Sequence, residues 1–237
     1  MPGFHQFASR EALAEELAAT VATQLAEAIR LRGRATLAVS GGTTPARFFD
    51  ALSKKDIRWD RVKITLVDER FVEHTSERSN ERLVRQHLLV NEAAKVSFHP
   101  LCWGDRSKGR QLGSLEYEAK DANRLIEPLR SPFDVVVLGM GADGHTASFF
   151  PDAPNLDALL DPAQTRRVMP VIAPSGGEPR LTVTLPLIAG ARFLALHIEG
   201  GEKRAVLDQA LSDARPTLPI RRVLDAAASK PQIYWTA

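Results

Sequence analysis

A chain of 237 residues, 44% hydrophobic and 25% charged, sits in the ordinary globular range and can bury roughly 70–75% of its unfolded surface. Its 31 Lys and Arg nearly balance 29 Asp and Glu, leaving a net charge of +2 and no like-charge block, which argues against a nucleic-acid partner. The single cysteine, Cys102, excludes an internal disulfide framework and a multi-cysteine metal site, and fits a small buried hydrophobe.

The first thirty residues carry Glu11, Glu15, Glu16 and Glu27, unlike the basic and then apolar layout of a signal peptide. Leu13, Leu17, Val21, Leu25 and Ile29 recur every four residues, predicting a long helix with Ser9 as N-cap and Gly33 as its stop. Residues 35–40 read as a strand running into Gly41-Gly42-Thr43-Thr44-Pro45, the order of tight turn, N-cap and first helical proline. Alternation continues with a strand at 62–67, a helix at 80–89, a short strand at 96–99 and a helix at 112–129. Residues 133–138 are a β-branched run suited to a strand buried on both faces of a parallel sheet.

Beyond Pro151, Pro154 and Pro162, strands are predicted at 167–172, 181–185 and 193–198, then a helix at about 202–211. Pro216 and Pro219 mark the loop before the penultimate element, and residues 232–235 a last strand. There is no internal repeat, low-complexity tract or linker, and no apolar run approaches the length of a membrane span. The expectation is one α/β domain over residues 1–237, cytoplasmic, with no membrane partner, and monomeric or weakly homo-oligomeric. Its elements imply a three-layer α/β/α architecture, a mostly parallel Rossmann-like sheet with helices on both faces. Ligands then bind at the carboxyl ends of the strands, where the loops after Ser40, Val67, Leu138 and Ile198 should share one edge.

Ser40-Gly41-Gly42-Thr43-Thr44 leads into a helix, so its backbone N–H groups and the helix dipole can hold an anion. The same residues also fit a plain βα turn. Asp68-Glu69-Arg70 follows a strand directly; Arg70 can fork onto a phosphate and Asp68 can accept from sugar hydroxyls, although a solvated loop with an internal ion pair fits as well. Asp143-Gly144-His145 places a carboxylate two residues from an imidazole, a side chain whose ordinary pKa of about 6.5 suits proton transfer near neutrality. Lys203, after Gly200-Gly201, and Arg180, before a strand, can add positive charge at the cleft mouth, or can be simple surface charges.

Residues 139–144 match G-x-G-x-x-G, but a dinucleotide fingerprint opens a helix, and Pro151 and Pro154 interrupt this region. A triad of Asp143, His145 and Ser148 lacks the G-x-S-x-G elbow. The other histidines show no paired spacing that would complete a metal site around Asp143 and His145.

Taken together, Ser40-Gly41-Gly42-Thr43-Thr44-Pro45, Val67-Asp68-Glu69-Arg70, Ser79-Asn80, the run from Gly139 through His145 to Ser148, Arg180-Leu181-Thr182 and Lys203 resemble the 6-phosphogluconolactonase family in order and spacing. The resemblance spans nearly the whole chain. It implies hydrolysis of 6-phospho-D-glucono-1,5-lactone to 6-phosphogluconate in the oxidative pentose phosphate pathway, with a phosphorylated sugar lactone as partner and no metal or organic cofactor. By that likeness His145 is the base that activates water, and Asp143 orients it or the substrate. Gly41, Gly42, Thr43 and Thr44 would hold the phosphate, with charge from Arg70 and Lys203, and Arg180 as an addition.

Small departures touch loop shape and no reactive group: Ala142 stands where the family often has proline, Phe149 where leucine is common and Asp152 where glycine is common. The related glucosamine-6-phosphate deaminases share the phosphate loop and the Asp-Gly-His segment but continue to Asn-Glu-Pro. Here the run is Phe149-Phe150-Pro151, and Phe150 cannot move protons as that glutamate does. A catalytically silent sugar-phosphate binding module is the third reading.

Overall fold

The computed structural model describes residues 2–102, 114–213 and 217–237. Strand β1 (Gly3–Phe7) leads into helix α1 (Arg10–Arg32), whose two ends form as the sequence predicts. The Ser9 hydroxyl accepts from the Ala12 N–H at 3.1 Å, and Gly33, at φ 73°, returns its own N–H to the Ile29 carbonyl. Leu13, Leu17, Val21 and Leu25 are fully buried, each side chain worth roughly 1.5–3 kcal/mol of apolar burial.

Strands β2 (Ala35–Val39), β3 (Val62–Leu66), β5 (Ser97–His99), β6 (Val135–Leu138), β9 (Phe193–Glu199) and β10 (Gln232–Thr236) join β1 in a parallel sheet. Its order is β1-β10-β9-β6-β2-β3-β5. From β2 the chain steps one way through α2 (Ala46–Ser53) and α3 (Asn80–His87). From β6 it steps the other way through α6 (Leu185–Ala189), α7 (Gly201–Ser212) and α8 (Pro219–Ala226). Right-handed crossovers in opposite directions put these two sets of helices on opposite faces, which gives three layers. Every residue of β2 and β6 is buried, as continuous apolar runs at the centre of such a sheet require. The direction reverses between β2 and β6, so the loops leaving their carboxyl ends part and open a crevice.

A second, antiparallel sheet of order β4-β8-β7 is formed by β4 (Asp68–Arg70), β7 (Val168–Val171) and β8 (Arg180–Val183). The sequence predicts a loop at Asp68-Glu69-Arg70, because three charged residues oppose strand propensity. The strand exists because Val67, leaving the central sheet, accepts the Val183 N–H at 2.8 Å, and β8 then captures the next three residues.

Other elements differ in smaller ways. Pro45 is not the first helical residue: its carbonyl accepts the Phe49 N–H at 2.9 Å, so α2 starts at Ala46 with no side-chain cap, and Thr44 is not the N-cap. Leu185 opens α6 where the end of a strand is expected, and Pro219 opens α8 where a loop is expected, each proline of these turns sitting where a missing N–H costs nothing. β1 has no counterpart in the sequence reading. Helix α4 (Leu115–Leu125) is shorter than predicted; residues 112, 113 and 216 of the expected elements lie outside the described residues. Among the described residues, no helix is long and apolar enough to cross a membrane.

Candidate active site

The crevice between the β2 and β6 ends holds a cleft of about 250 Å³. Gly41, Gly42, Thr43 and Thr44 form one wall, Asp68, Arg70 and Arg180 a second, and His145 and Lys203 complete it. All four predicted loops therefore meet at one edge of the sheet. Asp143 is the one predicted site residue outside the wall; it stands behind His145.

The loop after β2 is shaped for an anion. The Ser40 hydroxyl accepts the Gly139 N–H at 3.0 Å and so ties the two diverging loops together. Among the described residues, the backbone N–H groups of Gly41, Gly42, Thr43 and Thr44 donate to no protein acceptor. Free N–H groups ahead of a helix are an anion cradle. Gly41 has no room for a side chain, since a Cβ there would fall 2.0 Å from Asn80 Oδ1, and Gly42 needs its φ of 90°. Thr44 Oγ1 is freed from capping and accepts from Lys203 Nζ at 3.3 Å. Burial holds the Lys203 ammonium below the usual lysine range, with Glu199 and Glu202 pulling it back up.

The second wall comes from paired strands. Arg70 and Arg180 are register partners across β4 and β8, so their guanidiniums share one face beside each other. Nε of each is buried with no protein acceptor among the described residues. Two cations brought together with unused donors form a site that an anionic ligand would stabilise. Burial lowers the pKa of Arg180, and the carboxylate of Asp68, 3.5 Å from its NH1, opposes the shift. Asp68 is buried and also accepts from the Ser148 hydroxyl at 2.7 Å, so it organises Arg180 and Ser148. That bond occupies the only proton of a fully buried Ser148, which removes the serine from any triad with His145.

His145 sits in a glycine turn after β6. Its Nδ1 lies 2.5 Å from Asp143 Oδ1, which also accepts the His145 backbone N–H at 3.1 Å. Burial raises the Asp143 pKa, but the hydrogen bond and charge of His145 outweigh it and hold the carboxyl below its usual range. A Cβ at Gly141 would lie 2.3 Å from both Cε1 and Nδ1 of the imidazole, so this glycine makes room for the His145 ring. The imidazole stacks on Phe150, with centroids 4.4 Å apart, and Arg180 lies 5.0 Å from the centre of the same ring. Phe150 thus touches both the His145 imidazole and the Arg180 guanidinium. Residues 139–144 open no helix; the next features are a bridge between Thr146 and Phe149 and the short α5 (Leu156–Leu159). The dinucleotide fingerprint therefore lacks its helix.

Residues 8–235 match the family described as glucosamine-6-phosphate isomerases/6-phosphogluconolactonase. The chain belongs to this family. A 6-phosphogluconolactonase of Mesorhizobium japonicum is 51% identical over 232 residues, covering 98% of this chain and 94% of the relative. One of Rhizobium meliloti is 48% identical, covering 98% and 97%. The crystal structure of a 6-phosphogluconolactonase from Shewanella baltica superposes with a TM-score of 0.91 at 40% identity, covering 100% of this chain and 98% of that one.

The glucosamine-6-phosphate isomerase/6-phosphogluconolactonase family assignment agrees with the resemblance read from the motifs. Sequence reasoning did not connect His197 with the site; Ser40 and Asn80 enter it only within the quoted motifs, and Phe150 only as the residue standing where the deaminases have glutamate. His197 leaves a detectable sign, an imidazole just before the predicted end of a strand whose loop faces the crevice. The others act through contacts across the chain that no local pattern announces.

Proposed function

We propose that this chain hydrolyses 6-phospho-D-glucono-1,5-lactone to 6-phosphogluconate, the second step of the oxidative pentose phosphate pathway, in the cytoplasm. The observation that carries the reading is the 2.5 Å contact between His145 Nδ1 and Asp143, at the edge of a cleft that also presents the glycine loop, Arg70, Arg180 and Lys203. With Asp143 holding the proton on Nδ1, Nε2 is the free base.

The chemistry follows. The substrate phosphate lies against Gly41, Gly42, Thr43 and Thr44 with Arg70, Arg180 and Lys203, and its binding energy orients the lactone carbonyl. Nε2 of His145 takes a proton from water as the water oxygen attacks C1. The C1–O bond of the ring then breaks, and the proton passes from His145 to the departing ring oxygen. Asp143 stabilises the imidazolium between the two transfers. A positioned base of this kind is worth about 10²–10⁴-fold.

Loss of ammonia with aldose–ketose isomerisation is disfavoured by Phe150, which packs between His145 and Arg180 and carries no proton-transfer group. The decisive experiment follows the decay of freshly made lactone, coupled to 6-phosphogluconate dehydrogenase, with spontaneous hydrolysis subtracted. Acceleration lost in His145→Ala supports reaction and base together. A protein that binds 6-phosphogluconate without accelerating hydrolysis is the silent binding module instead.

A further inference from the structure

Glu69 is buried yet forms no part of the cleft wall. Its strand neighbours Asp68 and Arg70 line the cleft, and the two-residue alternation of β4 sends Glu69 to the other side, against the start of α3. There Oε1 accepts the backbone N–H of Arg70 at 2.7 Å and of Asn80 at 2.8 Å. Oε2 accepts the Ser79 hydroxyl at 3.0 Å and the Glu81 N–H at 2.7 Å. One carboxylate therefore joins the main chain of Arg70 to the first turn of α3.

That turn carries Asn80, which reaches the opposite wall. Its Nδ2 donates to the Asp68 carbonyl at 2.9 Å, and its Oδ1 fills the space beside Gly41 that a Cβ would need. The path from Glu69 through Asn80 sets the separation between the cationic strand and the glycine loop.

We propose that Glu69 is the positioning residue of the anion grip, holding Arg70 and, through Asn80, the Gly41 loop at the spacing a phosphate requires. The proposal rests on the phosphate reading of the cleft given above. Electrostatics makes it testable by sign. A buried negative charge near an anion site repels the ligand, so if charge alone mattered its removal would tighten phosphate binding. Geometry demands the reverse. Glutamine keeps the shape of the side chain but turns one oxygen into an NH₂ facing donors, which forces α3 away from β4.

The test is calorimetric titration of wild type and Glu69→Gln with inorganic phosphate and with 6-phosphogluconate at pH 8. Burial pushes the Glu69 carboxyl up to about 7, against the pull of its four hydrogen bonds, so at pH 8 it is mostly ionised. Binding of both ligands should weaken by about tenfold or more, the size expected when bonds to a buried charged group are lost. KM for the phosphorylated lactone should rise by a similar factor, and by more than kcat falls. Unchanged or tighter phosphate binding in a variant with native circular dichroism overturns the proposal.

Should Glu69→Gln fail to fold, Ser79→Ala and Asn80→Ala each cut one link of the same path. Both should loosen phosphate, and unchanged affinity in both would equally overturn the proposal. Phosphate binding is read without turnover, so a failure to hydrolyse the lactone would sink the proposed reaction and leave this inference to its own result.

Discussion

Asp143 Oδ1 lies 2.5 Å from Nδ1 of His145 and 3.1 Å from the backbone nitrogen of the same residue, so a single carboxylate fixes both the ring and the main chain of this histidine. His145→Ala should lower kcat by about 10²–10⁴-fold, while 6-phosphogluconate affinity measured by calorimetry stays within a few-fold. Asp143→Asn keeps the shape but loses the charge that orients the imidazole, and a loss of up to about 10⁴-fold in kcat is expected. Equal losses in binding and turnover would remove His145 from the role of base.

Arg70→Ala and Lys203→Ala remove charge from opposite walls of the cleft. Each should raise KM for the phosphorylated lactone by about tenfold or more and leave an unphosphorylated lactone much less affected. Steady-state kinetics on the two substrates separates the effects. If both lactones suffer alike, these cations do not bind phosphate.

A lysine carries its charge below its pKa, and burial lowers that of Lys203 from the ordinary 10.5, with Glu199 and Glu202 opposing. The phosphate grip should therefore weaken on the alkaline side at a lower pH than an ordinary lysine would dictate. Lys203→Arg keeps its charge to higher pH and should move that limb upward. Titrating 6-phosphogluconate at a series of pH values checks this, and an alkaline limb that does not move in Lys203→Arg would contradict it.

Two glycines give orthogonal tests. In Gly41→Ala the new Cβ meets Asn80 Oδ1 at 2.0 Å and disturbs the phosphate wall, so KM should rise. In Gly141→Ala it meets the imidazole at 2.3 Å and displaces the base, so kcat should fall. Exchanged phenotypes would mean that the two loops have been assigned the wrong tasks.

Helix α1 buries an apolar stripe in the core. Leu17 is fully buried, and Leu17→Ala should cost about 2–5 kcal/mol in urea unfolding, the sum of lost transfer energy and a residual cavity. A cost under about 1 kcal/mol would mean that the neighbours collapse into the space.

What the sequence discloses is what repeats along it. The period-four stripe of α1, the apolar runs of β2 and β6 and the glycine loops behind them are local patterns, and the structure contains each of them. So are Gly41, Thr44, Arg70 and His145, because polar residues after apolar strands can be placed by the rules of parallel sheets. Strand β4 is hidden because its three residues become a strand only when β8, more than a hundred positions later, supplies a partner. Glu69 is hidden with it: side by side in the sequence, Asp68, Glu69 and Arg70 look like one charged group, and only pleating divides them between cleft and helix. Phe150 acts by filling space, which no spacing reveals, and the bond of Asn80 to the Asp68 carbonyl joins elements that the sequence does not pair.

Thr44 and Lys203 stand 159 positions apart and meet at 3.3 Å across the crevice. A phosphorylated sugar lodged there clasps the β2 flank of the sheet to the β9 flank, and unfolding must first release it. At a hundred times its dissociation constant, such a ligand adds about 2.7 kcal/mol to the folded state. If the proposed ligand binds there, its abundance would set how long each molecule survives heat and proteases.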